Sequence, residues 1–231
     1  MVVIYRISNA GYKKEKPDYI NNQNCFLNAL RTFNKATWWV IADNVDDETR
    51  QLLNSRLSTV EYVSVGHGAG TFNKALDFAL NIPNQEEIVY FLENDYLHRL
   101  EADMVLQSAF DMHLGIEYVT LYDHPDKYME PSQGGNPHCY GKAENTRVFL
   151  GKYCHWKITN STTMTFAAKV RTLKADEQIL RKWTSGTHPY DFEMFTELRN
   201  KGRQIISPLP GYATHGETKW LAPLINWKQE L

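Results

Sequence analysis

In the first hundred residues, short apolar, β-branched runs alternate with segments whose apolar residues recur at helical spacing, and this alternation most constrains the fold. "MVVIYRI" opens the chain as a buried strand, and "CFLNALRTF" then puts Phe26, Leu27, Leu30 and Phe33 at helical spacing. "TWWVIADN" is a second strand, followed by the polar helix "DDETRQLLNSRL", with Asp46 or Asp47 as its N-terminal cap. "EYVSVG" is a third strand, and in the helix "TFNKALDFALN" Phe72, Ala75, Leu76 and Ala79 share a face. "EIVYFLEND" is the fourth strand. The order β-α-β-α-β-α-β predicts an α/β fold, a mostly parallel, Rossmann-like sheet flanked by helices on both sides. In such sheets ligands gather at the carboxyl ends of the strands.

The second half is organised differently. "IEYVTLYDH" reads as a further strand leading into "PDKYMEPSQGGNPHCYGKAEN", where Pro, Gly and Asn make a long irregular loop with the character of a lid. "TRVFLGKYCHWKITNSTTMTFAAKV" is rich in β-branched and aromatic residues and reads as a hairpin or meander. A helix from about Lys174 to Trp183, a second opening at "HPYDFEMFTELRN", a strand "RQIISP" and an aromatic tail complete the pattern. No repeat or linker interrupts the 231 residues, a length that suits one α/β domain over 1–231.

Charge and apolar content remove several function classes. A formal net charge of -2 gives no general affinity for nucleic acid or anionic membrane. No apolar run approaches the roughly 18 residues of a spanning helix. "MVVIYRISNA" is too short for a signal peptide and lacks its basic flank, so a cytoplasmic protein is expected. The odd number of cysteines, Cys25, Cys139 and Cys154, forms no CxxC pair and reads as reduced thiols. His138-Cys139 and Cys154-His155 offer four zinc donors, but their spacing fits no common zinc ribbon.

The fourth strand ends in two carboxylates, Glu93 and Asp95. Strand alternation aims residues i and i+2 at one side, so both acids can converge while Asn94 faces away. Two like charges that close need a cation, and oxygen donors suit Mg²⁺ or Mn²⁺. An E-x-D can also simply cap a strand at the surface. "GHGAGTFNKAL" follows the third strand and opens a helix whose free N–H groups favour anions, with His67, Asn73 and Lys74 as further donors. It is neither a G-x-G-x-x-G fingerprint nor a P-loop, and a plain glycine-rich turn is the alternative.

An N-terminal nucleotide-binding half, an apolar strand ending in an acidic D-x-D-like motif, a β-richer second half, an acid-bearing later helix and a C-terminal histidine together resemble a glycosyltransferase of the GT-A fold. Inverting enzymes of glycosyltransferase family 2 are the nearest comparison. Glu93-Asn94-Asp95 departs from the commoner D-x-D. The resemblance implies a nucleotide-sugar-binding half over 1–100 and an acceptor-binding, catalytic half over 101–231. It implies a Mn²⁺ or Mg²⁺ ion bridging the diphosphate of a nucleoside diphosphate sugar, with Asp95 as the direct ligand, Glu93 as the supporting one and His215 completing the site. A metal there acts as a Lewis acid on the leaving diphosphate. Asp43, at the end of "WWVIAD", takes the place of an acid that contacts base or ribose, its other role being to cap the next helix. Asp191 in "HPYDFEMF" stands for the base that deprotonates the acceptor hydroxyl, with Glu193 as the second choice; both also suit a helix N-terminus. Sugar faces stack on aromatic rings, which makes Trp156 and Trp220 the candidates for a glycan acceptor. Two alternatives are a sugar nucleotidyltransferase, which calls for a Gly-rich basic loop after the first strand where "YRISNAGYKKEKP" has one glycine, and a non-catalytic carbohydrate-binding protein.

Overall fold

The computed structural model describes residues 1–11, 14–112 and 115–231. Strands β1 (Val2–Ser8), β2 (Thr37–Asp43), β3 (Glu61–Val63) and β4 (Ile88–Glu93) are parallel neighbours in the order β3-β2-β1-β4. They are joined by α1 (Asn22–Thr32), α2 (Asp47–Asn54) and α3 (Gly68–Leu80). The helix starts follow from their caps. Asn21 accepts from Asn24 N at 2.9 Å, Asp46 from Thr49 N at 2.8 Å, and His67 Nδ1 from Gly70 N at 3.0 Å.

After β4 the chain makes β5 (Tyr96–His98), α4 (Ala102–Phe110) and a short β6 (Tyr118–Val119). The segment read as a lid holds two 3-10 turns and a small hairpin, β7 (Cys139–Tyr140) with β8 (Ala143–Glu144). β9 (Val148–Leu150) and β10 (His155–Thr159) pair antiparallel as expected of a hairpin. β11 (Phe166–Lys169) does not join them; it pairs with β4 and β6 in the centre of the sheet. α5 (Val170–Lys182), α6 (Asp191–Asn200), β12 (Ile205–Leu209) and β13 (Ala213–His215) complete the chain. α5 starts at Val170, earlier than Lys174, because β11 runs directly into it and Val170 N bonds Glu87 O at 3.0 Å.

One sheet takes strands from both halves, in the order β3-β2-β1-β4-β11-β6-β12-β10-β9. Among the described residues, seven of its nine strands run one way, β11 and β10 being the reversed pair. Alternation along β1 divides the core. Val3, Tyr5 and Ile7 pack with Phe26, Phe33 and Leu106 on the α1 and α4 side. Val2 and Ile4 pack with Phe72, Leu76, Leu173 and Phe195 on the α3, α5 and α6 side. Burying both faces explains why these strands read as nearly continuous apolar runs. No helix among the described residues is long and apolar enough to cross a membrane.

Candidate functional site at the strand ends

The alternation that would aim Glu93 and Asp95 at one point ends at Glu93, because residues 94 and 95 form a turn into β5. Each carboxylate therefore has its own partners. Glu93 follows Val89 and Phe91 on the α3, α5 and α6 side, where its Oε1 lies 3.2 Å from an Arg6 nitrogen and its Oε2 accepts from Thr165 Oγ1 at 3.3 Å. Arg6 is buried in β1 and also donates to Gly68 O and Met164 O, each at 3.2 Å. It thus joins the starts of α3 and β11 to the end of β4. Nothing in the pattern "VVIYRI" singled it out.

Asp95 is buried in a cluster of nitrogens. Lys14 and Lys16 Nζ each lie 3.2 Å from its Oδ2, and His215 Nε2 lies 3.3 Å from the same oxygen. His215 arrives through a small second sheet in which β13 pairs with β5 and His215 stands opposite Tyr96. The next residue must be glycine: a Cβ at Gly216 would meet Ile20 Cγ2 at 2.3 Å and Asp95 O at 2.7 Å. Burial works against a charged Asp95, but His215, Lys14 and Lys16 overcome it and hold the carboxyl well below the usual carboxylate range. Nε2 of His215 also lies 3.0 Å from Lys14 Nζ. The two contacts use this nitrogen in opposite senses.

These residues test the expected metal. Asp95 Oδ2 and His215 Nε2 do face a common point, but the Lys14 ammonium already bridges them, and Glu93 is taken by Arg6 and Thr165. Among the described residues no group of three or more His, Cys, Asp or Glu side chains is placed to hold a metal ion, which applies equally to the His138-Cys139 and Cys154-His155 constellation. The donor set present does not fit a Mg²⁺ or Mn²⁺ site built from Glu93, Asp95 and His215.

Asp191 opens α6 and accepts from Phe192 N at 2.7 Å. Its carboxyl is pushed up to about 7, by burial first and by the nearby negative charge of Glu93 second; Glu193 adds to this, while the Phe192 N–H and Lys127 oppose it. Glu193 is exposed. Lys127 is buried on the neighbouring loop, its ammonium donating to Asn160 Oδ1 at 2.7 Å and Ser161 Oγ at 2.8 Å. Asn136 bonds the same pair of residues, and His138 stacks on Phe192 at the head of α6. The segment read as a lid is thus pinned by buried polar contacts.

The other candidates fall into distinct roles. Asp43 caps no helix; its buried carboxylate accepts from Val65 N at 2.6 Å and Gly66 N at 2.9 Å, which fixes the turn between β3 and α3. His67 is spent on capping α3, and Gly70 must be glycine there, since a Cβ would meet Val65 Cγ1 at 2.4 Å. Asn73 donates to Ala69 O and Thr184 O, and Lys74 pairs with Glu61 at 3.7 Å on the surface. The donors expected to serve a ligand here are used within the fold. Trp156 is corrected outright: it is fully buried in the core, leaving no ring face for a sugar. Its place in an alternating strand put it inward, opposite Pro208 of β12. Trp220 is half-buried, its ring centroid 5.2 Å from that of His124, which lies tilted against Tyr122 at 4.9 Å, beside His215.

A three-layer α/β fold with an acidic, lysine-bordered site at the carboxyl edge of its sheet is the class that these features define. No known family profile matches the sequence, and no curated protein matches it. Among the solved structures similar to this chain, three cover most of its length. One is CMP:2-keto-3-deoxy-manno-octonic acid synthetase complexed with CTP, at 13% identity, with 89% of this chain and 88% of that chain covered and a TM-score of 0.49. Another is A197 from STIV, at 14% identity, 96% and 91% coverage and a TM-score of 0.47. The third is 4-diphosphocytidyl-2C-methyl-D-erythritol synthase from Anaerococcus prevotii DSM 20548, at 13% identity, 99% and 92% coverage and a TM-score of 0.48. At such identities nothing about individual residues transfers.

Proposed function

We propose that this chain is a transferase acting on a nucleoside-diphosphate-linked sugar, moving the sugar to a hydroxyl of a glycan acceptor with inversion. Asp191 carries the reading: a carboxyl at the ligand edge of the sheet whose proton affinity is raised to about 7 is tuned to accept a proton near neutral pH. The acceptor oxygen attacks the anomeric carbon, its proton passes to Asp191, and the bond from that carbon to the diphosphate breaks with its electron pair leaving on the diphosphate. The donor lies across the carboxyl ends of β1, β2 and β4, with its phosphates toward the nitrogen cluster at Asp95. The resemblance to the GT-A fold supports this reading, and so does the position of α6 opposite Glu93.

A second reading, sugar nucleotidyl transfer, is favoured by one observation. The loop after β1 is basic where it matters, since Lys14 and Lys16 reach the strand-end acid. Two of the similar structures bear cytidine-nucleotide names, in keeping with that class without arguing for it.

The products separate the two. The chain is incubated with UDP-, GDP- and dTDP-sugars and a glycan panel, and in parallel with nucleoside triphosphates and free sugars. Release of a nucleoside diphosphate from the first set is expected. Pyrophosphate from the second set would instead establish nucleotidyl transfer, and neither product would leave the binding-protein alternative standing.

A further inference from the structure

The central sheet ends differently at its two edges. At one, β3 is screened by side chains: the Arg50 guanidinium lies over the Tyr62 ring at 3.9 Å, the Tyr62 hydroxyl donates to Asn54 Oδ1 at 2.7 Å, and Glu61 pairs with Lys74 at 3.7 Å. At the other, β9 has β10 as its one neighbour. Gly151 N donates to Cys154 O at 2.9 Å and Ile158 N to Arg147 O at 3.1 Å. In an antiparallel ladder bonded positions recur at every second residue, so Arg147, Phe149 and Gly151 turn their backbone groups to β10 while Val148 and Leu150 turn theirs outward. Among the described residues, no hydrogen bond from outside the ladder reaches the N–H or C=O of Val148 or Leu150. Their side chains are 49% and 77% exposed, and Tyr153 just beyond is 44% exposed. An edge with free backbone groups and open apolar side chains is a template for one more strand.

Charge says what kind of strand. From Asn145 to His155 the chain carries Arg147 and Lys152, both exposed, and no carboxylate. Glu144, just before, is turned inward, accepting from Asn160 N at 2.6 Å and Thr159 Oγ1 at 3.1 Å. Asp111 of α4 lines a cavity with Lys152 and offsets one of the two cations, which leaves the edge net positive. Two copies of this chain pairing β9 antiparallel to β9 would crowd Arg147 and Lys152 of both together, and like charges across a strand pair are destabilising.

We propose that the β9 edge is a docking site for an extended segment of another protein, a strand in which apolar residues alternate with acidic ones. Its backbone takes up the outward N–H and C=O groups of Val148 and Leu150, its apolar side chains cover those two residues, and its acids lie on the side of Arg147. The site is at the far end of the sheet from β1 and β2 and does not depend on the proposed transfer.

The test is fluorescence anisotropy with two labelled peptides of about nine residues, capped at both ends, in which valine alternates with glutamate in one and with lysine in the other. The glutamate peptide is expected to bind at least about tenfold more tightly than the lysine peptide, less so in high salt, and to slow hydrogen exchange at the Val148 and Leu150 amides. Leu150→Pro deletes an N–H that β10 does not use, so it should weaken binding by about tenfold or more. Arg147→Glu combined with Lys152→Glu should reverse the preference between the peptides. A wild type that binds neither peptide, or both equally, would overturn the proposal, and so would a folded Leu150→Pro with unchanged affinity. Should circular dichroism show that Leu150→Pro loses its fold, the charge reversal and the exchange at the Leu150 amide still decide. Sedimentation velocity of the protein alone is expected to show no association through this edge; a dimer in wild type that Arg147→Glu or Leu150→Pro abolishes would make the occupant a second copy and overturn the proposal.

Discussion

Asp95 and Asp191 stand at the same edge of one sheet, both drawn away from solvent, and the fold shifts them in opposite directions. Asp95 gathers Lys14, Lys16 and His215 and is held well below the usual carboxylate range. Asp191 is pushed up to about 7 by burial, with Glu93 and Glu193 adding to this and the Phe192 N–H and Lys127 in opposition. Burial raises both, so the sign is decided by which charges the tertiary fold brings to each. Two carboxyls whose environments drive them apart identify an acid–base group and a fixed charge. On the proposed function Asp191 would be the group that exchanges a proton, and Asp95 would belong to the electrostatic frame.

The most severe way to break this contrast is to remove the Asp191 carboxyl. Asp191→Asn should lower turnover by about 10²- to 10⁴-fold, while Glu193→Gln, an exposed neighbour, should stay within a few-fold. Wild-type turnover should rise with pH through about 7, as Asp191 loses its proton. Steady-state rates of nucleoside diphosphate release between pH 5 and 9 check both, and an undiminished Asp191→Asn would end its role as base.

A second prediction uses stability, where the two acids should differ in sign. The folded-state value of Asp191 lies above its ordinary one, so its contribution is fully present below about pH 4 and is lost as pH rises through about 7. Asp191→Asn should therefore gain stability on wild type between pH 5 and 8, by on the order of 1–3 kcal/mol, with no gain at pH 4. Asp95 has the opposite linkage. Its depressed value makes its contribution present above the ordinary carboxylate range and lost as pH falls through the folded value, so Asp95→Asn should be destabilising at pH 7 and less so in acid. Thermal melts of both variants across this range would show curves that diverge in opposite directions, and parallel curves would refute the contrast.

The smallest effect tests the cause of the Asp191 shift. Glu93→Gln removes the second-largest contributor, so the rising limb of the rate profile should move to lower pH by about one unit or less, with burial still holding it above the ordinary range. A limb that does not move would assign the shift to burial alone.

Much of the first half was legible because its signals are local. Continuous apolar runs such as "VVIYRI" and "IVYFL" encode strands buried on both faces, and Asp46 announces its helix through the Thr49 N–H three residues on. In the second half, composition misled where neighbours in sequence were not neighbours in space. "TFAAKV" has strand-forming residues, yet β11 leaves the β9–β10 hairpin, pairs with β4 and turns at once into α5. Trp156 has the chemistry of a sugar platform, but the register of β10 with β12 faces it into the core.

The sequence by itself determined the α/β class, the fourth strand as far as Glu93 and the acidic start of α6, because backbone periodicity and capping act over a few residues. It also marked Asp95, His215 and Asp191 by residue type. Only the tertiary structure decided who faces whom. A turn at residues 94 and 95 separates the two strand-end acids, the β5–β13 ladder brings His215 to Asp95, and the loop after β1 delivers Lys14 and Lys16 to the same carboxylate. Charge partnership is a long-range property: these pairs lie 79 to 201 residues apart in the chain, and no local period records them.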